Sequence, residues 1–184
     1  MQTAKRQVRF NYYDYTLLPE DKRYELIDGD LHMTPAPLTT HQQVLFNIAY
    51  ELRVFITKQK LGQLLIAPTD VVLSEEDVVQ PDILFIAQER LDILTEKNVR
   101  GAPDLVVEIL SPATAERDLV IKKKLYEKFG VREYWIVDLG AKSIEVLQMT
   151  DEGFKTLRVY TQDTHLTSSL LKNFSLAVGD VFKN

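Results

Sequence analysis

Cysteine is absent from the 184-residue chain. No disulfide can form and no thiolate can hold a metal. That fits a reducing compartment, and the expected location is the cytoplasm. Histidine is scarce. His32, His41 and His165 are the only three, and they lack the spacing of a zinc protease. There is no glycine-rich loop ending in Gly-Lys-Ser/Thr, which excludes a P-loop NTPase. There is no Gly-x-Ser-x-Gly elbow either, so Ser111 reads as a helix cap rather than a nucleophile. No apolar run approaches the roughly 18 residues of a membrane span. Residues Met1–Arg9 have no apolar stretch of the signal-peptide kind. Positive charge is in deficit, with 22 Lys and Arg against 27 Asp and Glu and a net charge of −5. This argues against nucleic-acid binding by the surface at large. It leaves room for a local basic rim around an acidic metal centre.

What is present suits one globular domain over residues 1–184. The chain is 45% hydrophobic and long enough for a real core. Tyr24–Met33 reads as a hairpin with Asp28-Gly29 as its tight turn. After the loop Met33–Leu38, Thr40 is expected to cap a helix, with Gln43 as capping-box partner. The helix runs to about Lys60. Residues 63–73 and 78–86 read as strands joined by the acidic turn Ser74–Asp77. A short helix near 88–94 and the turn Gly101–Pro103 lead to a strand over 104–110. Ser111-Pro112 opens a second long helix that ends at Gly130. Glu133–Val137 is a further strand, with Trp135 in the core rather than on a base-stacking platform. Residues 143–149 and 154–160 form a hairpin around Asp151–Gly153. Strands interspersed with two long helices indicate a mixed α/β fold.

Three charged residues fall where core residues belong. Glu108 lies inside the apolar run Asp104–Leu110, where an unpaired carboxylate costs several kcal/mol. Asp82 opens the apolar strand Ile83–Ile86. At about 100° per residue, Leu119, Ile121, Leu125, Tyr126 and Phe129 of the second helix share one arc. Lys122 and Asp118 fall inside that arc, whereas Lys123, Lys124 and Lys128 fall outside it. Lys122 reads either as a snorkelling lysine paired with Asp118 or as a functional cation, and Glu108 fourteen residues earlier favours the second. His41 lies near the centre of the apolar face of helix 40–60. It is either a structural histidine or a group that orients a ligand, phosphate or water. Asp82 and Glu108 come from different strands, so pairing can bring them together. Asp104, roughly 13 Å from Glu108 along one strand, cannot share a small ion with it. Hard oxygen ligands suit Mg²⁺ or Mn²⁺. A metal that steadies charge on phosphate and acidifies water, with a lysine beside it, supplies what phosphodiester hydrolysis needs.

Pro81-Asp82, Glu108-Ile-Leu110 and a downstream lysine resemble the PD-(D/E)XK nuclease superfamily. More narrowly, the chain resembles the Uma-type family of bacterial proteins classed as restriction endonucleases. The stretches Tyr24–Gly29, His41-Gln42, Pro81-Asp82, Pro103–Pro112, Arg117-Asp118, Lys122, Tyr126 and Gly130–Asp138 carry the resemblance. It implies a restriction-endonuclease-like core, a mixed β-sheet flanked by helices, with hairpins near both ends. It also implies Asp82 and Glu108 as metal ligands. The usual lysine lies two residues after the glutamate, where this chain has Leu110, and Lys122 is the matching position on the next helix. Glu25 belongs to the matching Tyr24-Glu25 motif, either as part of the site with His41 or as a solvated strand residue. The expected function is a Mg²⁺-dependent endonuclease acting on nucleic acid, DNA first, with no membrane partner and as a homodimer if both strands of a duplex are cut. The rival is a non-catalytic binding module on the same fold.

Overall fold

The computed structural model describes residues 8–19, 21–111 and 117–183. A short helix α1 (Tyr12–Thr16) precedes the hairpin β1 (Arg23–Ile27) and β2 (Asp30–Thr34). Asp28 and Gly29 both have positive φ, 49° and 73°, as a two-residue hairpin turn matched to strand twist requires. Helix α2 (Thr39–Gln59) follows. It begins two residues earlier than a cap at Thr40 would place it. Leu38 is the cap and has no side-chain oxygen to accept a backbone N–H, so the capping box does not form. The helix ends as expected at Lys60, in a left-handed conformation.

The two strands expected over 63–73 and 78–86 are each broken in two. They become β3 (Gly62–Ile66) and β4 (Val71–Ser74), then β5 (Asp77–Val79) and β6 (Ile83–Ala87). The breaks fall at Pro68 and Pro81. Proline has no N–H to give a ladder and is confined to strand ends, edges and bulges. The inner halves β4 and β5 pair with each other, and the outer halves β3 and β6 do likewise. After a 3₁₀ turn (Gln88–Ile93) come β7 (Val99–Arg100) and β8 (Leu105–Ile109). A π-helical stretch, Arg117–Lys122, runs into α3 (Lys123–Phe129). The start of that helix, including Pro112, lies outside the described residues. Strands β9 (Glu133–Asp138), β10 (Ser143–Thr150) and β11 (Gly153–Thr161) follow, then the small pair β12 (His165–Thr167) and β13 (Ser175–Ala177), and α4 (Val178–Val181).

Six strands form the central mixed sheet in the order β11-β10-β9-β8-β6-β3, with β8 and β9 parallel. A second sheet has the order β2-β1-β5-β4-β7. Alternation sorts the central strands between two cores. Leu105, Val107 and Ile109 of β8 pack with Val44, Leu45, Ile48, Leu52 and Ile56 of α2. At roughly 1.5–3 kcal/mol per buried aliphatic side chain, that helix face alone is a large fraction of the stability. Val106 of β8 faces the opposite way, toward Leu125 and Tyr126 of α3 and Ile27 of β1. Glu108 shares that face. The layers match a restriction-endonuclease-like α/β fold with hairpins near both ends. No helix among the described residues is long and apolar enough to cross a membrane.

The regular helical arc does not survive. Leu119 and Ile121 are 40% and 42% exposed, while Lys122 is 3% exposed. A π-helical turn takes more residues per revolution than an α-turn, so the phase shifts just before α3. Leu125 and Tyr126, past the shift, are buried as expected.

Candidate functional site

Glu108 sits near the end of β8 with its side chain toward α3. Its Oε1 accepts a hydrogen bond from the Lys122 ammonium at 2.9 Å and from the Tyr126 hydroxyl at 2.6 Å. Lys122 Nζ also pairs with Glu25 Oε1 at 2.7 Å. Glu25 is 1% exposed, so it is no solvated strand residue. The same Glu25 oxygen accepts the backbone N–H of Gln80 at 3.0 Å. One ammonium thus bridges two buried carboxylates brought from different sheets. This is the company an intramolecular cation needs if its burial is to be tolerated. The alternative Asp118 partner of Lys122 has a side chain outside the described residues.

The Tyr126 hydroxyl is held well above the ordinary phenol range, chiefly by complete burial and next by the charges of Glu108 and Glu25. It therefore stays protonated and acts toward Glu108 as a donor. Sequence reasoning included Tyr126 in the family resemblance but assigned it no role. Its spacing from Lys122, four residues on one helix face, was the available signal.

Asp82 lies one step beyond the last ladder pair between β6 and β8, Ile83 with Val107. It and Glu108 therefore flank the same end of that ladder. Asp82 Oδ2 accepts the Ile109 backbone N–H at 2.8 Å and faces His41 Nε2 at 3.1 Å. An ionised carboxylate can only accept, so His41 serves it as an Nε2–H donor. His41 is buried in the first turn of α2, and its Nδ1 has no hydrogen-bond partner among the described residues. Asp104, by contrast, is fully buried, accepts the Ala87 N–H at 2.8 Å, and pairs with Arg90 and Arg132. It pins the strand start, as expected, and takes no part in the site.

The five residues singled out from sequence thus fall into two linked groups. Glu25, Glu108 and Lys122 form one, and Asp82 with His41 forms the other, joined through the adjacent residues Glu108 and Ile109. The donor chemistry fits a hard cation. Asp82 Oδ1 takes no hydrogen bond among the described residues, its side chain is 15% exposed, and carboxylate oxygen is the ligand type that Mg²⁺ prefers. No three His, Asp or Glu side chains among the described residues are gathered tightly enough to cage an ion. Mg²⁺ commonly takes one or two carboxylates and fills its other positions with water and substrate phosphate.

Comparison with known proteins agrees with this architecture. A family model described as Uma2, "Putative restriction endonuclease", matches residues 11–179. Among solved structures, the crystal structure of a "putative nuclease belonging to DUF820" from Anabaena variabilis is similar, with a TM-score of 0.79 and 19% identity. The match covers 94% of this chain and 97% of that one. At that identity the likeness speaks to the fold. No curated protein matches the chain.

Proposed function

The chain belongs to the Uma2 family of restriction-endonuclease-like proteins, and on that footing we propose that it is a divalent-metal-dependent endonuclease that hydrolyses phosphodiester bonds of nucleic acid, DNA first. The observation that carries the reading is the buried Lys122 ammonium, clamped between Glu25 and Glu108 beside the strand end where Asp82 is held. A lysine buried at such cost in a fold of this kind is well explained by a charge that develops at that spot during reaction.

Asp82 and Glu108 would hold Mg²⁺ or Mn²⁺, which when bound steadies charge on the phosphate and lowers the pKa of water. The remaining work falls to the protein's own groups. His41 and the Ile109 N–H fix the direction of the Asp82 carboxylate. Tyr126 fixes that of Glu108. Glu25 aims Lys122, whose ammonium stands ready to offset negative charge as the phosphate becomes five-coordinate. A homodimer belongs to the same reading, since cutting both strands of a duplex takes two centres. Sedimentation analysis tests that part.

The reading is tested with a supercoiled-plasmid assay in Mg²⁺, Mn²⁺ and EDTA. Asp82→Ala and Glu108→Gln should abolish metal-dependent cleavage. Lys122→Ala should slow it by on the order of 10²-fold or more, as for loss of one transition-state donor. Lys123→Ala and Lys124→Ala, on the outer side of the helix, should leave the rate nearly unchanged. Circular dichroism at the assay pH, with a urea melt of Lys122→Ala, separates a slowed reaction from a smaller folded fraction. Equal, small effects of all three lysines would remove Lys122 from the mechanism. The second reading, a binding module without catalysis, draws on the mutual neutralisation of Lys122 with Glu25 and Glu108, and on the lack of a three-ligand cage among the described residues. Failure of the wild type to cut any DNA or RNA would favour it.

A further inference from the structure

We propose that Arg23 is a phosphate clamp for the nucleic-acid strand engaged by this site, and that Gln80 is the tether holding it in place. The proposal rests on the nuclease reading and deepens it. Arg23 and Glu25 are two apart on β1 and so face the same side of the strand, about 7 Å apart along it. Glu25 is the residue that aims Lys122. Arg23 Nε donates to Gln80 Oε1 at 3.0 Å. Gln80 is itself fixed on other sides. Its backbone N–H donates to Glu25 Oε1, and its side-chain amide donates to Asp70 Oδ1 at 2.8 Å. The Tyr15 hydroxyl donates to the same Asp70 oxygen at 2.8 Å. That carboxylate dictates which way the Gln80 amide points, leaving its carbonyl oxygen for Arg23.

The guanidinium is thus tethered through Nε alone. Its two Nη nitrogens make no hydrogen bond or ion pair among the described residues, and the residue is half-buried. By contrast, Arg90 and Arg132 pair with Asp104, and Arg9 pairs with Asp28 and Glu76. A guanidinium held by one nitrogen presents its forked edge, the geometry that receives a phosphate through two parallel hydrogen bonds. The chemistry calls for such a group. A polyanion approaching Asp82, Glu25 and Glu108 meets a chain of net charge −5, and Lys122 is already shared between two carboxylates. The ligand is a backbone phosphodiester next to the one under attack. Such a contact sets the strand's position without reading its sequence.

The test measures binding rather than cleavage. The full chain is titrated against fluorescent duplex DNA, single-stranded DNA and RNA, in EDTA, over a range of salt concentrations. Arg23→Gln should weaken binding roughly tenfold or more, as for one lost charged hydrogen-bond pair, and should reduce the salt slope by about one. Its urea midpoint should match the wild type. Arg23→Lys should keep the slope but recover only part of the affinity, because an ammonium lacks the fork. Gln80→Leu should weaken binding with the slope intact. An unchanged slope in Arg23→Gln, or an affinity loss matched by a fall in urea midpoint, overturns the clamp while leaving the nuclease reading standing. Wild-type protein that binds none of the three nucleic acids overturns both.

Discussion

Replacing Lys122 by methionine keeps most of the length of the side chain and removes its charge. Glu25 and Glu108 are then left buried with no cation between them. Both Oε1 atoms lie within 3 Å of the same nitrogen, so they are no more than about 6 Å apart. Two unit charges at that separation repel by about 3 kcal/mol at an effective dielectric near 20. Breaking a buried pair from one side costs about 3–5 kcal/mol in comparable cases. Against a total stability of about 5–15 kcal/mol, Lys122→Met should be only just folded near neutral pH. The loss should shrink in mild acid, because a proton can take the place of the missing cation. The sign follows from linkage. The folded variant binds a proton more readily than the unfolded chain, so its stability rises as pH falls. Urea melts at about pH 5 and about pH 8, on either side of the range where a raised carboxyl titrates, measure this. Adding Glu25→Gln to Lys122→Met should recover half or more of the loss at the higher pH by removing one of the two charges. A deficit of equal size at both pH values, with no gain from Glu25→Gln, would refute the view that this ammonium offsets the charge of two buried carboxylates.

Two further outcomes follow from the same site. Tyr126 keeps its proton in the folded state beyond the range where the unfolded chain ionises. Stability should therefore decline above about pH 10, by up to about 1.4 kcal/mol per pH unit from this group. Tyr126→Phe should flatten that decline between about pH 9 and 11 relative to the wild type, with Tyr15, also raised by burial, contributing equally to both proteins; parallel curves would discount Tyr126 as a buried donor. His41→Ala removes the side-chain donor to Asp82 and should raise the Mn²⁺ concentration needed for half-saturation by roughly 10–100-fold, as for other groups that orient a metal ligand. An unchanged Mn²⁺ titration by electron paramagnetic resonance would mean that the Ile109 N–H suffices.

Local chemistry made much of the fold legible. Asp28-Gly29 announces its turn because both residues tolerate positive φ, and Gly130 ends α3 for the same reason. Strands β8, β9, β10 and β11 fall where their apolar runs and turns indicate. The two broken strands were not legible as such, although Pro68 and Pro81 stood in plain view. What decides a break is that each half finds a different sheet, and that is a tertiary fact. Lys122 is buried, as the helical arc implied, yet Leu119 and Ile121 from the same arc are not, because a regular period does not describe a π-helical turn. Glu25 could not be placed from its own neighbourhood. Its burial depends on α3 lying over β1, and α3 is nearly a hundred residues away in sequence.

That distance has a consequence for how the molecule comes into being. Asp77–Val79 and Ile83–Ala87 are consecutive strands on either side of Pro81, yet they belong to separate sheets. Glu25 rides on one sheet and Glu108 on the other, and the ammonium that joins them arrives from a helix made later in the chain. A nascent or half-denatured molecule with a single sheet in place holds at most one of the two carboxylates beside that ammonium. The constellation is thus a property of the completed tertiary structure and of no fragment of it. Contacts between residues so far apart in the chain form slowly, because loop closure must come before they reward it. Assembly of the cluster is thereby coupled to completion of the fold, and a chain with only one sheet in place carries no assembled site.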